Sequence, residues 1–248
     1  MKLSAKSIWK QFWYDLIIFF REPFFALPIL FLPGIFFIVY AGSMAKSGTN
    51  TDGFAQYLPM YMLLISFLTV FFNIGTQYVT DKQSGIFKRL LLSPISLFNL
   101  VLTYSLRGIL ISVLGFFEMI AIAAFIFHIP LTDNIVVFFL VFLVIVVIMM
   151  LLSLALHGFF KNSRQVMPFT ILGFQYVLFA SGMIIPVEQM PGALKYIVYI
   201  NPVYHMNQIL VRIWYHLSPD IVNVLALAAW TAVCLILIRL QKGFATDK

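Results

Sequence analysis

The chain has 248 residues, of which 62% are apolar and 10% charged, with 16 Lys or Arg against 9 Asp or Glu and a mean hydropathy of +0.99. A soluble domain is about 45–50% apolar and about 25% charged, so there is too little polar surface here to coat a water-soluble globule. That excludes most soluble enzymes, disordered chains and nucleic-acid binders. The single Cys234 excludes an intrachain disulfide framework, and the chain reads as a bilayer protein.

Ile8, Trp9, Phe12, Trp13, Leu16 and Ile17 recur at i, i+1, i+4 and i+5 and paint one face of an N-terminal helix within 1–22. Lys6, Lys10 and Asp15 fall mostly off that face. Such a helix lies flat in the membrane interface with Trp9 and Trp13 at headgroup depth. A plain anchor with no further role is an equal reading. Arg21-Glu22-Pro23 then turns the chain into the bilayer, because Pro fits a first helical turn.

A bilayer core about 30 Å thick needs roughly 20 apolar residues in a helix. Uncharged stretches supply six spans, at about 24–42, 56–78, 97–127, 134–158, 167–185 and 220–239. The first is preceded by residues that already look structured and is followed by no small-x-small site, so it does not read as a cleaved signal. No soluble domain, linker or repeat interrupts the pattern, and residues 1–248 read as a single membrane domain.

With six spans both termini share a side. Twelve Lys or Arg fall on that side and three (Lys46, Lys195, Arg212) on the other, with Arg107 inside a span. The positive-inside rule places both termini in the cytoplasm of a multi-pass protein of the cell membrane. The +7 net charge then reflects topology and contact with anionic lipid, and calls for no nucleic-acid partner.

The loop from Tyr78 to Leu97 carries Asp81, Lys82, Lys88 and Arg89, which keep it in water. Ile86, Phe87, Leu90 and Leu91 give it a short amphipathic helix that Ser93-Pro94 ends. That helix is either a docking surface for a soluble partner or a connector along the headgroups. The third span holds Arg107 and Glu118, 11 residues apart and therefore on one face, about 16 Å apart along the axis, too far for a pair. Intramembrane ionisable groups carry a cost and point to a role. Arg107 is close enough to the cytoplasmic end to snorkel. Glu118 lies deeper and faces a cavity, a neighbouring helix or a second subunit.

After the fifth span, Pro186, Pro191-Gly192 and Asn201-Pro202 cut an apolar, aromatic segment into pieces too short to cross the bilayer. Non-helical backbone at that depth persists only where protein or water satisfies it. A re-entrant pair of short helices over about 183–205 fits, and an extracellular loop without a transport role is the alternative. No Gly-x-x-x-x-Gly-Lys-Ser/Thr loop, His-x-x-x-His pair, Cys pair or Gly-x-Ser-x-Gly elbow occurs. The sequence therefore offers neither a phosphate cradle nor a metal site nor a hydrolase nucleophile, and the chain is not expected to be an enzyme.

Three segments together resemble the membrane (permease) subunit of type-2 ABC exporters. The first is Asp81-Lys82-Gln83-Ser84-Gly85-Ile86-Phe87-Lys88-Arg89-Leu90-Leu91-Leu92-Ser93-Pro94-Ile95-Ser96. It is similar to the family's acidic residue, Gly, basic-aliphatic patch and Ser-Pro-hydrophobic-Ser run, with Asp81 where the family usually has Glu. The second is Ser181-Gly182-Met183-Ile184-Ile185-Pro186 with Met190-Pro191 and Ile200-Asn201-Pro202, running on to Arg212. The third is the amphipathic start through Arg21-Glu22-Pro23.

The resemblance implies an all-α integral membrane fold with six transmembrane helices, an N-terminal interface helix, a cytoplasmic coupling helix and a re-entrant extracellular hairpin before the last span. It implies that Asp81, Lys82, Gly85, Phe87, Lys88, Arg89, Leu90, Ser93 and Pro94, about 82–94, form the coupling helix, seated in a groove of a separate cytoplasmic ABC ATPase. The interface helix, with Trp9, Phe12, Trp13 and Arg21, would lie near that ATPase. Two ATPase copies would serve two permease subunits, identical or paralogous, with ATP and Mg bound on the ATPase and no cofactor in this chain. The pathway and its gate would involve Phe67, Phe71, Phe72, Phe174, Tyr176, Pro186, Met190, Pro191, Asn201 and Pro202. The 27 Phe lean toward an apolar or amphipathic cargo such as a drug, antibiotic or peptide, and lipid-facing packing explains most of them equally well. A lipid-linked polysaccharide is the alternative cargo. The rival class is an ion- or proton-coupled carrier using Glu118.

Overall fold

The structure, a computed structural model, describes residues 5–48, 53, 55–91, 97–182, 187 and 190–246, and its described elements are helices. Helix α1 (Ala5–Arg21) precedes α2 (Pro23–Lys46). Helix α3 (Leu58–Phe67) passes through a π-helical stretch, Leu68–Ile74, into α4 (Gly75–Gln83), and α5 (Ile86–Leu91) follows. Helix α6 (Leu97–Ala121) ends in a second π-helical stretch, Ile122–Ile126. The chain continues through α7 (Ile135–His157), α8 (Ser163–Ala180), α9 (Gly192–Ile200), α10 (Pro202–Trp214) and α11 (Ile221–Thr246).

Among the described residues, five helices are long and apolar enough to cross a membrane: Ala26–Lys46, Leu58–Gln83, Asn99–Ile126, Ile135–His157 and Ile221–Gln241. The fifth stretch expected from the sequence corresponds to α8, whose 18 residues include Arg164, Gln165 and Gln175 and are too polar to join that set. Its bounds also differ from the expected 167–185. Asn162 caps it by accepting from the Arg164 N–H at 2.9 Å, so it starts at Ser163, and a turn at Ser181-Gly182 closes it.

The second long helix is the hub. Of its apolar window, 89% is buried inside the protein, against 11% for the last helix. All ten residues of α3 are buried. In lipid there is no hydrophobic drive between helices, so association rests on close packing, which small residues permit. Gly108 and Gly115, seven apart on α6, supply it: a Cβ at either would collide with Ile74 and Met150, or with Ile65. Helix α6 thereby lies against the hub, α2 packs on α3, and α7 and α10 close the other side.

The hub helix also runs past the 56–78 expected for it, through Gln83. No residue breaks it before Gly85, whose φ of +76° makes the turn into α5. The stretch expected as one coupling helix over 82–94 is thus divided. Its first residues end α4, and the separate helix is Ile86–Leu91.

Candidate functional site

The inward face of α1 is Phe12, Leu16 and Phe19, all buried, while Trp9 and Trp13 point outward at 58% and 48% exposure. Asp15 sits within that inward row, at i+3 from Phe12 and i−4 from Phe19. It meets Arg107, which is 2% exposed, with Nη1 donating to Asp15 Oδ1 at 2.9 Å. Nη2 donates to Asn73 Oδ1 at 2.9 Å and Gln77 Oε1 at 2.6 Å on the hub helix, and the Tyr104 ring lies 5.6 Å from the guanidinium. Arg107 does not snorkel to the surface. It is a buried node joining α1, the hub and α6. Burial pushes the Asp15 carboxyl above its ordinary range, and the Arg107 guanidinium opposes that push.

A second set of polar contacts gathers at the same end. The Tyr104 hydroxyl donates to Asp81 Oδ2. Lys82 Nζ donates to the Gly158 carbonyl at 2.9 Å and the Phe160 carbonyl at 3.4 Å, just past the end of α7. Gln83 Oε1 accepts from the backbone N–H and the hydroxyl of Ser163, at 2.7 and 2.6 Å, in the first turn of α8. Gln241 of α11 donates to the Ala155 carbonyl at 2.6 Å. Asp81 and Lys82, read from sequence as water-facing, are half-buried and engaged within the protein.

Beyond Gly85, Phe87 of α5 lies edge-on to Tyr78 with ring centroids 5.2 Å apart, and Arg89 donates back to the Ser84 carbonyl at 3.0 Å. The side chains of Lys88 and Leu90, and Ser93, Pro94 and Pro186 altogether, lie outside the described residues. Arg21 is exposed at the end of α1.

Above this end, the π-helical stretch gives the Val70 carbonyl two donors, the Gly75 N–H and Ser153 Oγ, the latter at 3.0 Å. His157 is fully buried beside it. Its Nδ1–H donates to the Ser153 carbonyl at 2.9 Å, Nε2 lies 3.2 Å from the Thr170 hydroxyl, and the ring packs edge-on to Phe71. Gly75 makes room for that ring, since a Cβ there would stand 2.5 Å from it. Sequence reading assigned His157 no role. A lone His with no metal-ligand spacing carries no signal of its neighbours on other helices.

Five of the expected pathway residues, Phe67, Phe71, Tyr176, Asn201 and Pro202, line one cavity of about 430 Å³ with Leu172, Val203 and Trp230. Its polar groups are already engaged: Tyr176 donates to the Ile197 carbonyl at 3.1 Å, Trp230 to Ile200 at 3.1 Å, and Asn201 to Ala180 at 2.9 Å. What remains facing the space is apolar. Phe72 and Phe174 are half-buried in the core outside this cavity, and Met190 packs with Ala180, Val187 and Val198. Pro191 is the N-cap of α9. Asn201 forms the elbow between α9 and α10, its side chain also accepting from the Val203 N–H at 3.0 Å.

Glu118 is half-buried on α6, away from the Arg107 node, with no hydrogen-bond or ion-pair partner among the described residues. It lies against Gly34 of α2, where a Cβ would be 2.6 Å from Oε1. Among the described residues no cluster of His, Cys, Asp and Glu is grouped as a metal site would be.

The sequence is 18% identical, over 157 residues, to proteins named probable multidrug ABC transporter permease YbhR from two strains of Escherichia coli. That match takes in 63% of this chain and 43% of each relative, so the chain spans under half the length of those proteins. The pattern of the family described as ABC-2 type transporter matches residues 6–215, from within α1 to the end of α10. The match takes in most of the apolar helical bundle described above, and the chain belongs to the ABC-2 type transporter family.

Proposed function

We propose that this chain is the permease subunit of an ATP-driven exporter, passing an apolar or amphipathic molecule out of the cytoplasm along a path shared by two such subunits. Helix α8 serves as the fifth of six spans, both termini are cytoplasmic, and a separate ABC ATPase, one copy per subunit, seats α5. The observation that carries this is α5 itself. It is a short helix joined through Gly85 to the most buried helix of the bundle, with Phe87 packed on Tyr78 of that helix, so that force on it reaches the centre of the fold.

The apolar cavity beside Phe67, Phe71 and Tyr176 supports an apolar cargo, as does the multidrug name carried by the relatives. Its volume lies in the range of small-molecule sites, roughly 300–1,000 Å³. The elbow at Asn201 shuts the far end of that space. ATP binding closes the ATPase pair, and the closed form binds α5 in a different position from the open form; that difference in affinity drives the change of access. No covalent step falls on this chain.

The test is the pair Phe87→Asp and Leu90→Asp. Both charges replace apolar residues of the amphipathic pattern that the sequence gives α5, so the ATPase should no longer co-purify and export should fall to background. Retention of both co-purification and export would refute the assignment of α5.

A further inference from the structure

Asp81, Lys82 and Gln83 are consecutive, and consecutive side chains on an α-helix point about 100° apart. Three in a row therefore fan over about 200°, and each can hold a different neighbour only if the helix end has neighbours on more than one side. That is the case here. Asp81 reaches Tyr104 on α6, Lys82 reaches the carbonyls of Gly158 and Phe160 after α7, and Gln83 reaches Ser163 at the start of α8. The Lys82 contact places a cation on the negative end of the α7 dipole. Gln241 of α11 grips the same end of α7 through Ala155, so the last helix is tied to the turn that Lys82 holds. Only Ser84 and Gly85 separate this triplet from α5, and Arg89 folds back onto the Ser84 carbonyl to brace that joint.

We infer that Lys82 and Gln83 are positioning residues that deliver the displacement of α5 to the turn between α7 and α8, so that the fourth, fifth and last helices move with the hub. This rests on the proposed function and deepens it: half-buried Lys82 and exposed Gln83 both bond to other parts of the membrane subunit, and act there and not on the ATPase groove. Two further geometric facts agree. Lys82 and Gln83 are the contacts of the α4 terminus with that turn, and the turn is short, His157 to Ser163, so it has little slack to absorb a pull. The backbone acceptors Gly158 and Phe160 explain why the sequence gives no hint of the pairing.

The experiment uses the full complex with its ATPase in lipid vesicles, in a Cys234→Ala background, with spin labels at Thr80→Cys on α4 or Phe159→Cys in the turn. In the parent, distances between the two copies should change on adding ATP at both positions. In Lys82→Met and Gln83→Leu the Thr80 change should persist while the Phe159 change is lost. Export should drop about tenfold with ATP hydrolysis continuing, the scale of one charge-assisted bond between moving parts. Lys82→Arg and Gln83→Glu keep the donor and the acceptor and should restore both. Those two rescues, with unchanged thermal stability, separate transmission from folding. A Phe159 response equal to the parent's in Lys82→Met and Gln83→Leu, or failure of the rescues, overturns the inference while leaving α5 as the docking helix. No ATP response at Thr80 in the parent overturns the proposed function itself, and this inference with it.

Discussion

At the scale of single residues, the Arg107–Asp15 pair is the most demanding feature of the fold. Arg107 is buried and the Asp15 side chain is 11% exposed, and removing Asp15 leaves Arg107 an uncompensated buried charge, which costs up to about 3–5 kcal/mol. Asp15→Ala should therefore lower the thermal unfolding temperature in detergent sharply. The double replacement Arg107→Met with Asp15→Leu should lose much less than the sum of the single changes, read as a double-mutant cycle. Additive losses would show that the pair is not coupled. Glu118 gives the opposite expectation. It has no partner among the described residues, so Glu118→Gln should leave stability and ATP-driven export within about twofold, whereas an ion-coupled carrier would stop.

Asp15 also marks where sequence reasoning stopped. Its neighbours Phe12 and Leu16 were legible as a helix face. Asp15, one position from that face, looked like the polar side, and its partner lies 92 residues along the chain. Arg107 was visible as an anomaly but not as a node, because two of its partners, Asn73 and Gln77, are ordinary polar residues of the hub helix and the third, Asp15, lies far along the chain on α1.

At the scale of elements, helix existence was written in the apolar runs, and a helix end was readable at Asn201-Pro202, whereas the break at Gly85 was missed because the basic and aliphatic residues on both sides of it read as one helix over 82–94. The π-helical stretch at Leu68–Ile74 was not readable, because no residue type specifies an i→i+5 bond; it is held by Ser153 from another helix. Nor was the early start of α8, set by the Asn162 cap. The elbow at Asn201 gives a prediction at this scale. Asn201→Ala removes the cap of α10 and leaves the Ala180 carbonyl without its donor, a loss of about 1–3 kcal/mol. Hydrogen exchange should speed up in α9 and the first turn of α10, with α3 unchanged. Equal protection in both would show that the elbow is held by something else.

At the scale of the whole molecule, composition and the spacing of charges made the membrane class legible, and the motif order pointed to the family. The arrangement around the second helix was not legible, since its apolar residues look no different from those facing lipid. What distinguishes it is the pair of glycines on its neighbour, and Gly115→Leu should cost about 1–3 kcal/mol by overpacking against Ile65. Topology is testable directly. In a Cys234→Ala background, single cysteines at Lys46 and Lys195 should react with an impermeant thiol reagent from outside the cell, and one at Lys161 only after permeabilisation. Labelling of position 161 from outside would mean that the sides are misassigned, and failure of position 195 to label from outside while position 46 does would mean that α8 does not cross.

The most direct measurement is transport by purified chain in liposomes, with and without its ABC ATPase, using a fluorescent amphipathic cation as cargo. The account predicts movement only when both the ATPase and hydrolysable ATP are present, and none in Phe87→Asp vesicles. Movement driven by a proton gradient across liposomes that contain this chain alone would contradict it.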